Sequence, residues 1–181
     1  MKNVLIVVDM QNDFLLKDGK LTISSQSEDS TKQLRGDVAD FMSKFDGDII
    51  CTRDIHEEDS CEFSIYPKHC IKNSKGAELI DEINEVGIQR NLKVYDNGNY
   101  SKGIDFGQYC HSGKDHVFSV FGVCTHISVH DVVSELVNTY KETQNKIPDV
   151  TIYKNLCGDF DQQMADFSLK RLQNLYGVKV L

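Results

Sequence analysis

Phe121-Gly122-Val123-Cys124-Thr125-His126-Ile127-Ser128 ends the apolar run that starts at His116 and leads into Val129, Val132, Val133, Leu136, Val137 and Tyr140, which recur at helical spacing. An apolar strand that turns at once into an amphipathic helix is the junction from which an α/β sheet is built. Working outward, Val4 to Asp9, Asp48 to Thr52, Leu92 to Tyr95, Val150 to Tyr153 and Val178 to Leu181 read as five further strands. Between them, helical spacing recurs in Leu34, Val38, Phe41, Met42 and Phe45, in Leu79, Ile80, Ile83 and Val86, and in Met164, Phe167, Leu172, Leu175 and Tyr176. This alternation predicts a doubly wound, mostly parallel six-stranded sheet with helices on both faces. Such a sheet holds its ligand at the carboxyl ends of the strands, beside the switch in strand order. The polar segment Thr22 to Thr31 reads as a surface loop or lid before a helix.

A chain of 181 residues that is 40% hydrophobic and 27% charged can form one globular domain, expected over residues 1–181. Its 28 acidic and 20 basic residues leave a net charge of −8, which disfavours nucleic acid and anionic membranes and favours a small-molecule partner. No apolar run has membrane length, and Met1-Lys2-Asn3 passes straight into a strand, so a cytoplasmic protein is expected. The cysteines at 51, 61, 70, 110, 124 and 157 form no C-x-x-C pairs and read as reduced core thiols.

The strand ends carry the chemistry. Asp9 closes a fully apolar strand, where a carboxylate is costly to bury without purpose, although aspartate also serves in turns. Beyond the second strand, Asp54 and His56 stand two apart, so in an extended segment both point to one side, and Glu62 and His69 can fold back from the loop that follows. Two imidazoles and carboxylates suit a divalent transition metal, zinc first, with iron and manganese as alternatives. Glu57, Glu58 and Asp59 compete with Glu62, and any one of these residues alone reads equally well as a solvated loop side chain.

The runs Asp9-Met10-Gln11-Asn12-Asp13-Phe14, Asp54-Ile55-His56 with Tyr66-Pro67-Lys68-His69-Cys70, and Gly122 to Ser128 resemble the motifs of the isochorismatase-like hydrolases, cysteine hydrolases that include nicotinamidases. The resemblance extends from Val4 to the last strand. It implies Asp9 as general base, Phe14, Tyr100 and Cys124 as substrate-contacting residues, and Asp54, His56, Glu62 and His69 as ligands of a metal that orients the pyridine nitrogen of nicotinamide. Two positions depart from the family pattern: Asn97, in Asn97-Gly98-Asn99-Tyr100-Ser101, occupies the place of the catalytic lysine, and Ser128 that of the nucleophilic thiol.

A serine hydroxyl is a far weaker acid than a thiol, and without a neighbouring cation or histidine relay Asp9 activates it poorly. Lys93 stands four extended residues, about 13 Å, before position 97. Lys102 would need a different loop path to reach the site. His126 and His130, each two residues from Ser128 on a helix, point elsewhere. The backbone N–H groups of Cys124 and Ser128 would still form an oxyanion site, which needs no particular side chain.

The expected function is that of a nicotinamidase-like amidohydrolase, impaired or inactive as sequenced, whose partner is a small aromatic amide such as nicotinamide. The alternative is a catalytically silent relative that binds metal and a small ligand. His126 also matches the isochorismatases proper, which cleave a vinyl ether, but those keep the lysine and lack the metal loop. A homo-oligomer is expected, because the edge helices have little else to cover their faces.

Overall fold

A computed structural model describes residues 1–23, 28–90, 92–98 and 103–181. Its strands are Lys2–Val8 (β1), Asp48–Arg53 (β2), Lys93–Asp96 (β3), His116–Gly122 (β4), Asp149–Ile152 (β5) and Lys179–Val180 (β6). They form one sheet in the order β3-β2-β1-β4-β5-β6, and every neighbouring pair is parallel, so the sheet is fully rather than mostly parallel. Helices Asn12–Leu15 (α1), Glu28–Lys44 (α2), Asp81–Arg90 (α3), Gly107–Cys110 (α4), His130–Gln144 (α5) and Gln162–Tyr176 (α6) connect and cover it.

Both faces of β1 are buried, which is why Val4 to Val8 is an unbroken apolar run with no polar alternation. Alternate side chains go to opposite cores. Val4, Ile6 and Val8 join Val132, Leu136 and Leu172 from α5 and α6, while Leu5 and Val7 join Val38, Met42 and Ile83 from α2 and α3. At the sheet edge, β3 is short, largely exposed and charged at both ends by Lys93 and Asp96, features that discourage further strand pairing. The Asp161 carboxylate caps α6 by accepting the Met164 N–H at 3.0 Å, and Gly177 ends that helix with φ 70°.

Several boundaries differ from the sequence reading. Asp9 lies outside β1 because its φ is +51°, which turns the chain off the strand. Within the expected loop of residues 22–31, Ile23 is fully buried and α2 already starts at Glu28, while residues 24–27 lie outside the described set. All six cysteines are thiols outside any disulfide, but Cys61 is exposed and Cys157 half-buried, so they are not uniformly core residues. Burial pushes the Cys51 thiol up to about 12. Among the described residues, no helix is long and apolar enough to cross a membrane.

Candidate active site

The chain runs outward from β1 in both directions, and the crevice at its carboxyl end lies between β1 and β4. Gly122, at φ +148°, closes this junction: a Cβ there would stand 2.1 Å from the Val8 carbonyl oxygen. The Val123–Cys124 peptide is cis, and the next residues form one wide turn in which the Val129 N–H reaches the Cys124 carbonyl, five residues back, at 3.2 Å. This turn presents Cys124 and Ser128 to the same cavity. Ser128 is 7% exposed, and no hydrogen bond engages its hydroxyl among the described residues.

On the β1 side, Asp9 is buried and pinned by Thr52 of β2. Its N–H donates to Thr52 Oγ1 at 3.1 Å, and that hydroxyl donates to Asp9 Oδ1 at 2.6 Å. Past β2, ligand atoms of Asp54, His56, Glu62 and His69 lie within 4.8 Å of one another. Asp54 Oδ2 is 2.8 Å from His56 Nε2 and 3.2 Å from His69 Nε2, and Glu62 Oε2 is 3.8 Å from His56 Nε2. Glu57 and Glu58 point outward into ion pairs with Lys72 and Lys68, and Asp59 is exposed.

This donor set fits a divalent transition ion. The far nitrogen of each imidazole has a neighbour that orients the ring: His69 Nδ1 lies 2.7 Å from the Pro67 carbonyl, and His56 Nδ1 lies 3.4 Å from Ser60 Oγ. Burial pulls the His69 imidazolium down, but its hydrogen bonds to Asp54 and Pro67 and the charges of Asp54 and Glu62 outweigh that and leave it above its ordinary value. Gly98 allows close packing here, since a Cβ would stand 2.5 Å from the Ile55 carbonyl oxygen and 3.2 Å from His56 Nδ1.

Asp54, Glu62 and His69 line the same cavity as Ser128, together with Phe14, Cys124 and a wall of Leu21, Tyr66, Ile127 and Phe160. The Phe14 ring stands 5.5 Å from that of His69, and the Tyr66 ring 6.3 Å from that of Phe160. Burial, then the charges of Glu62, Cys124 and Asp159, push the Tyr66 phenol above its ordinary value. The enclosed space is about 20 Å³, room for about one water.

Asn97 lines a different cleft, of about 570 Å³, beside Arg53, Glu57, Lys72 and Glu78. Tyr100 and Lys102 lie outside the described residues. The ring of His126 engages Asp159 at 2.7 Å and that of His130 engages Asp131 at 3.0 Å, so each imidazole faces a carboxylate and not Ser128. The sequence reading missed Thr52, Tyr66, Asp159 and Phe160. Tyr66 was visible as the first residue of the Tyr66-Pro67-Lys68-His69-Cys70 run, whereas Phe160 sits in a loop with no periodicity to mark it.

The nicotinamidase of Saccharomyces cerevisiae is 30% identical over 125 residues, an alignment that takes in 52% of this chain and 56% of the yeast enzyme, so the match spans little more than half of that relative. Among solved structures, PnC1 from L. infantum in complex with nicotinate is similar at a TM-score of 0.82 and 23% identity, over 99% of this chain and 92% of that one. The pyrazinamidase of Pyrococcus horikoshii in complex with zinc is similar at a TM-score of 0.77 and 20% identity, over 100% and 99% of the two chains. At these identities the structural likeness speaks for the fold. The isochorismatase domain model matches residues 3–181, nearly the whole sequence, and the chain belongs to that family.

Proposed function

We propose that this protein is a nicotinamidase-like amidohydrolase with a metal-assisted pocket, and that Ser128 and Asn97 leave it impaired in the C–N hydrolysis its relatives perform. The observation that carries this reading is the convergence of Asp54, Glu62 and His69 with Ser128 and Cys124 on one cavity, with His56 completing the donor set. Asp54, His56, Glu62 and His69 would hold a divalent ion, zinc first, with iron and manganese as alternatives. When bound, that ion supplies a positive centre for a heteroaromatic nitrogen.

Phe14, Tyr66 and Phe160 supply ring faces for a flat aromatic amide. Because the space is so small, Tyr66 and Phe160, both only partly buried, must part to admit one. In this reading Asp9, held by Thr52, is the group that takes the proton of a nucleophile at position 128. A hydroxyl there holds its proton far more strongly than a thiol would, and Asn97 offers no positive charge to stabilise the anion. Backbone N–H groups of Cys124 and Ser128 serve the developing oxyanion in this reading.

Calorimetry and ammonia release test the proposal together. Nicotinamide should bind the zinc-loaded protein and fail to bind after chelation, with turnover well below about 1 per second. Absence of binding in both states would sink the pocket assignment, and turnover at an ordinary rate would sink the impairment. Binding without any turnover, even in repaired variants, would make the protein a ligand-binding relative.

The same reading takes residues 1–181 as one domain that assembles with copies of itself. Its support is the face of α6, where Met164, Phe167 and Leu175 are 45%, 61% and 55% exposed. Sedimentation at micromolar concentration should give a species larger than the 20.5 kDa chain, and a strict monomer would refute the assembly.

A further inference from the structure

Gln11, Asn12 and Asp13 follow Asp9 directly, and all three are buried although polar. Burying such groups is costly unless each finds partners, and Gln11 and Asp13 find theirs at Asp54 and Cys70, in the segment that carries the metal-ligand residues. Gln11 is fully buried. Its Oε1 accepts the Asp54 N–H at 2.7 Å, while its Nε2 donates to the Asp54 carbonyl at 2.8 Å and to the Ala77 carbonyl at 2.9 Å. One side chain thereby satisfies both backbone groups of a ligand residue just past the end of β2.

Asp13 acts two residues on. Its Oδ2 accepts the Cys70 N–H at 2.7 Å and its Oδ1 accepts the Lys20 N–H at 3.1 Å. Cys70 has φ +46°, a left-handed conformation that is unfavourable for a residue with a side chain. A charge-assisted hydrogen bond to its N–H offsets that cost and fixes the His69–Cys70 peptide, and with it the direction in which His69 leaves the backbone. The effect reaches a third ligand, because the Cys70 carbonyl accepts the His56 N–H at 3.0 Å and the His56 carbonyl accepts the Lys72 N–H at 2.9 Å.

We infer that Gln11 and Asp13 are positioning residues for the metal site, Gln11 fixing the backbone of Asp54 and Asp13 that of His69 and, through Cys70, of His56. The inference rests on the metal reading above. Asn12 is a control built into the same segment: it is as buried as Asp13, and its Nδ2 donates to the Lys75 carbonyl at 2.8 Å, but Lys75 belongs to a turn that holds no ligand residue.

The test compares Gln11→Glu, Asp13→Ala, Asp13→Asn and Asn12→Ala for zinc affinity by chelator competition and for the visible absorption of the cobalt-loaded protein. Gln11→Glu sets a carboxylate oxygen against two carbonyls and Asp13→Ala removes both acceptors, so each should weaken zinc binding by about 10–100-fold and change the cobalt bands. Asp13→Asn keeps one acceptor and should recover part of the loss. Asn12→Ala should lower the melting temperature yet leave zinc affinity and the cobalt spectrum unchanged.

Folded Gln11 and Asp13 variants with parental affinity and spectrum would overturn the inference, as would an equal loss of affinity in Asn12→Ala. For variants that fail to fold, the unaltered chain decides: zinc should slow hydrogen exchange at the Asp54 and Cys70 amides, and unchanged exchange there overturns the inference. Failure of the unaltered chain to bind zinc at all would instead remove the metal site itself.

Discussion

Combining Ser128→Cys with Asn97→Lys is expected to raise ammonia release from nicotinamide by about a thousandfold or more, while either change alone recovers little. The reason is that the two positions serve one proton and charge balance. A nucleophile at 128 must lose its proton to a group such as Asp9, and the resulting anion needs a nearby cation, so removing either partner forfeits most of what the pair supplies.

The surroundings of position 128 favour such a rescue. Ser128 is already aimed into the cavity with its hydroxyl unengaged among the described residues, and a thiol there would need no rotamer that the serine lacks. Asp9 is already held by Thr52. Asn97 lines a different cleft, but Gly98, the next residue, packs against Ile55 and His56, so the chain at 97 runs close beside that loop, and a flexible four-carbon stem can extend from there. Ammonia release by the parent, both single variants and the double variant measures the effect. A double variant no faster than the better single one would show that 97 and 128 do not act as a unit.

The parts of this molecule that were legible in its sequence are those where one residue type answers to one physical demand. Val4 to Val8 had to be a strand buried on both faces, and the helical spacing from Val129 to Tyr140 had to cover one side of the sheet, so strand and helix positions followed from periodicity alone. Asp54 and His56 were legible as a pair because extended backbone aligns residues two apart.

Glu62 was not separable from Glu57, Glu58 and Asp59, because the distinction lies in the path of the loop: Glu57 and Glu58 are drawn outward by Lys72 and Lys68, and the turn at Ser60 brings Glu62 in. The ring wall of Tyr66 and Phe160 joins two loops 94 residues apart in number, a proximity that no local pattern encodes. The roles of Gln11 and Asp13 were hidden for the same reason. Their hydrogen bonds span 43 and 57 residues, and a buried amide declares itself only once its partners are known.

Removal of one imidazole, by His56→Ala or His69→Ala, is expected to weaken zinc binding by roughly a hundredfold or more. Both rings are almost fully buried, and Asp54 Oδ2 lies 2.8 and 3.2 Å from their Nε2 atoms, so a donor from the surface would have to enter a filled site to replace either ring. For a four-ligand site with a total binding free energy of about 10–16 kcal/mol, an equal share per ligand is about 3 kcal/mol, and losing it weakens affinity by roughly a hundredfold or more. A metal that binds the folded chain and not the unfolded one also stabilises it: at a free concentration about 1,000 times its Kd the gain is about 4 kcal/mol. At about 2–4 °C per kcal/mol for a chain of this size, chelation should therefore lower the melting temperature of the unaltered protein by about 10 °C. At the same free concentration, about ten times their weakened Kd, the two alanine variants should keep at most about 1.4 kcal/mol of that gain, so chelation should shift their melting by no more than about 3–6 °C. Elemental analysis and paired melting curves decide the matter: a parent that neither contains zinc nor takes it up on titration, or a His56→Ala protein that still responds to chelator as the parent does, would show that these four side chains do not form the metal site.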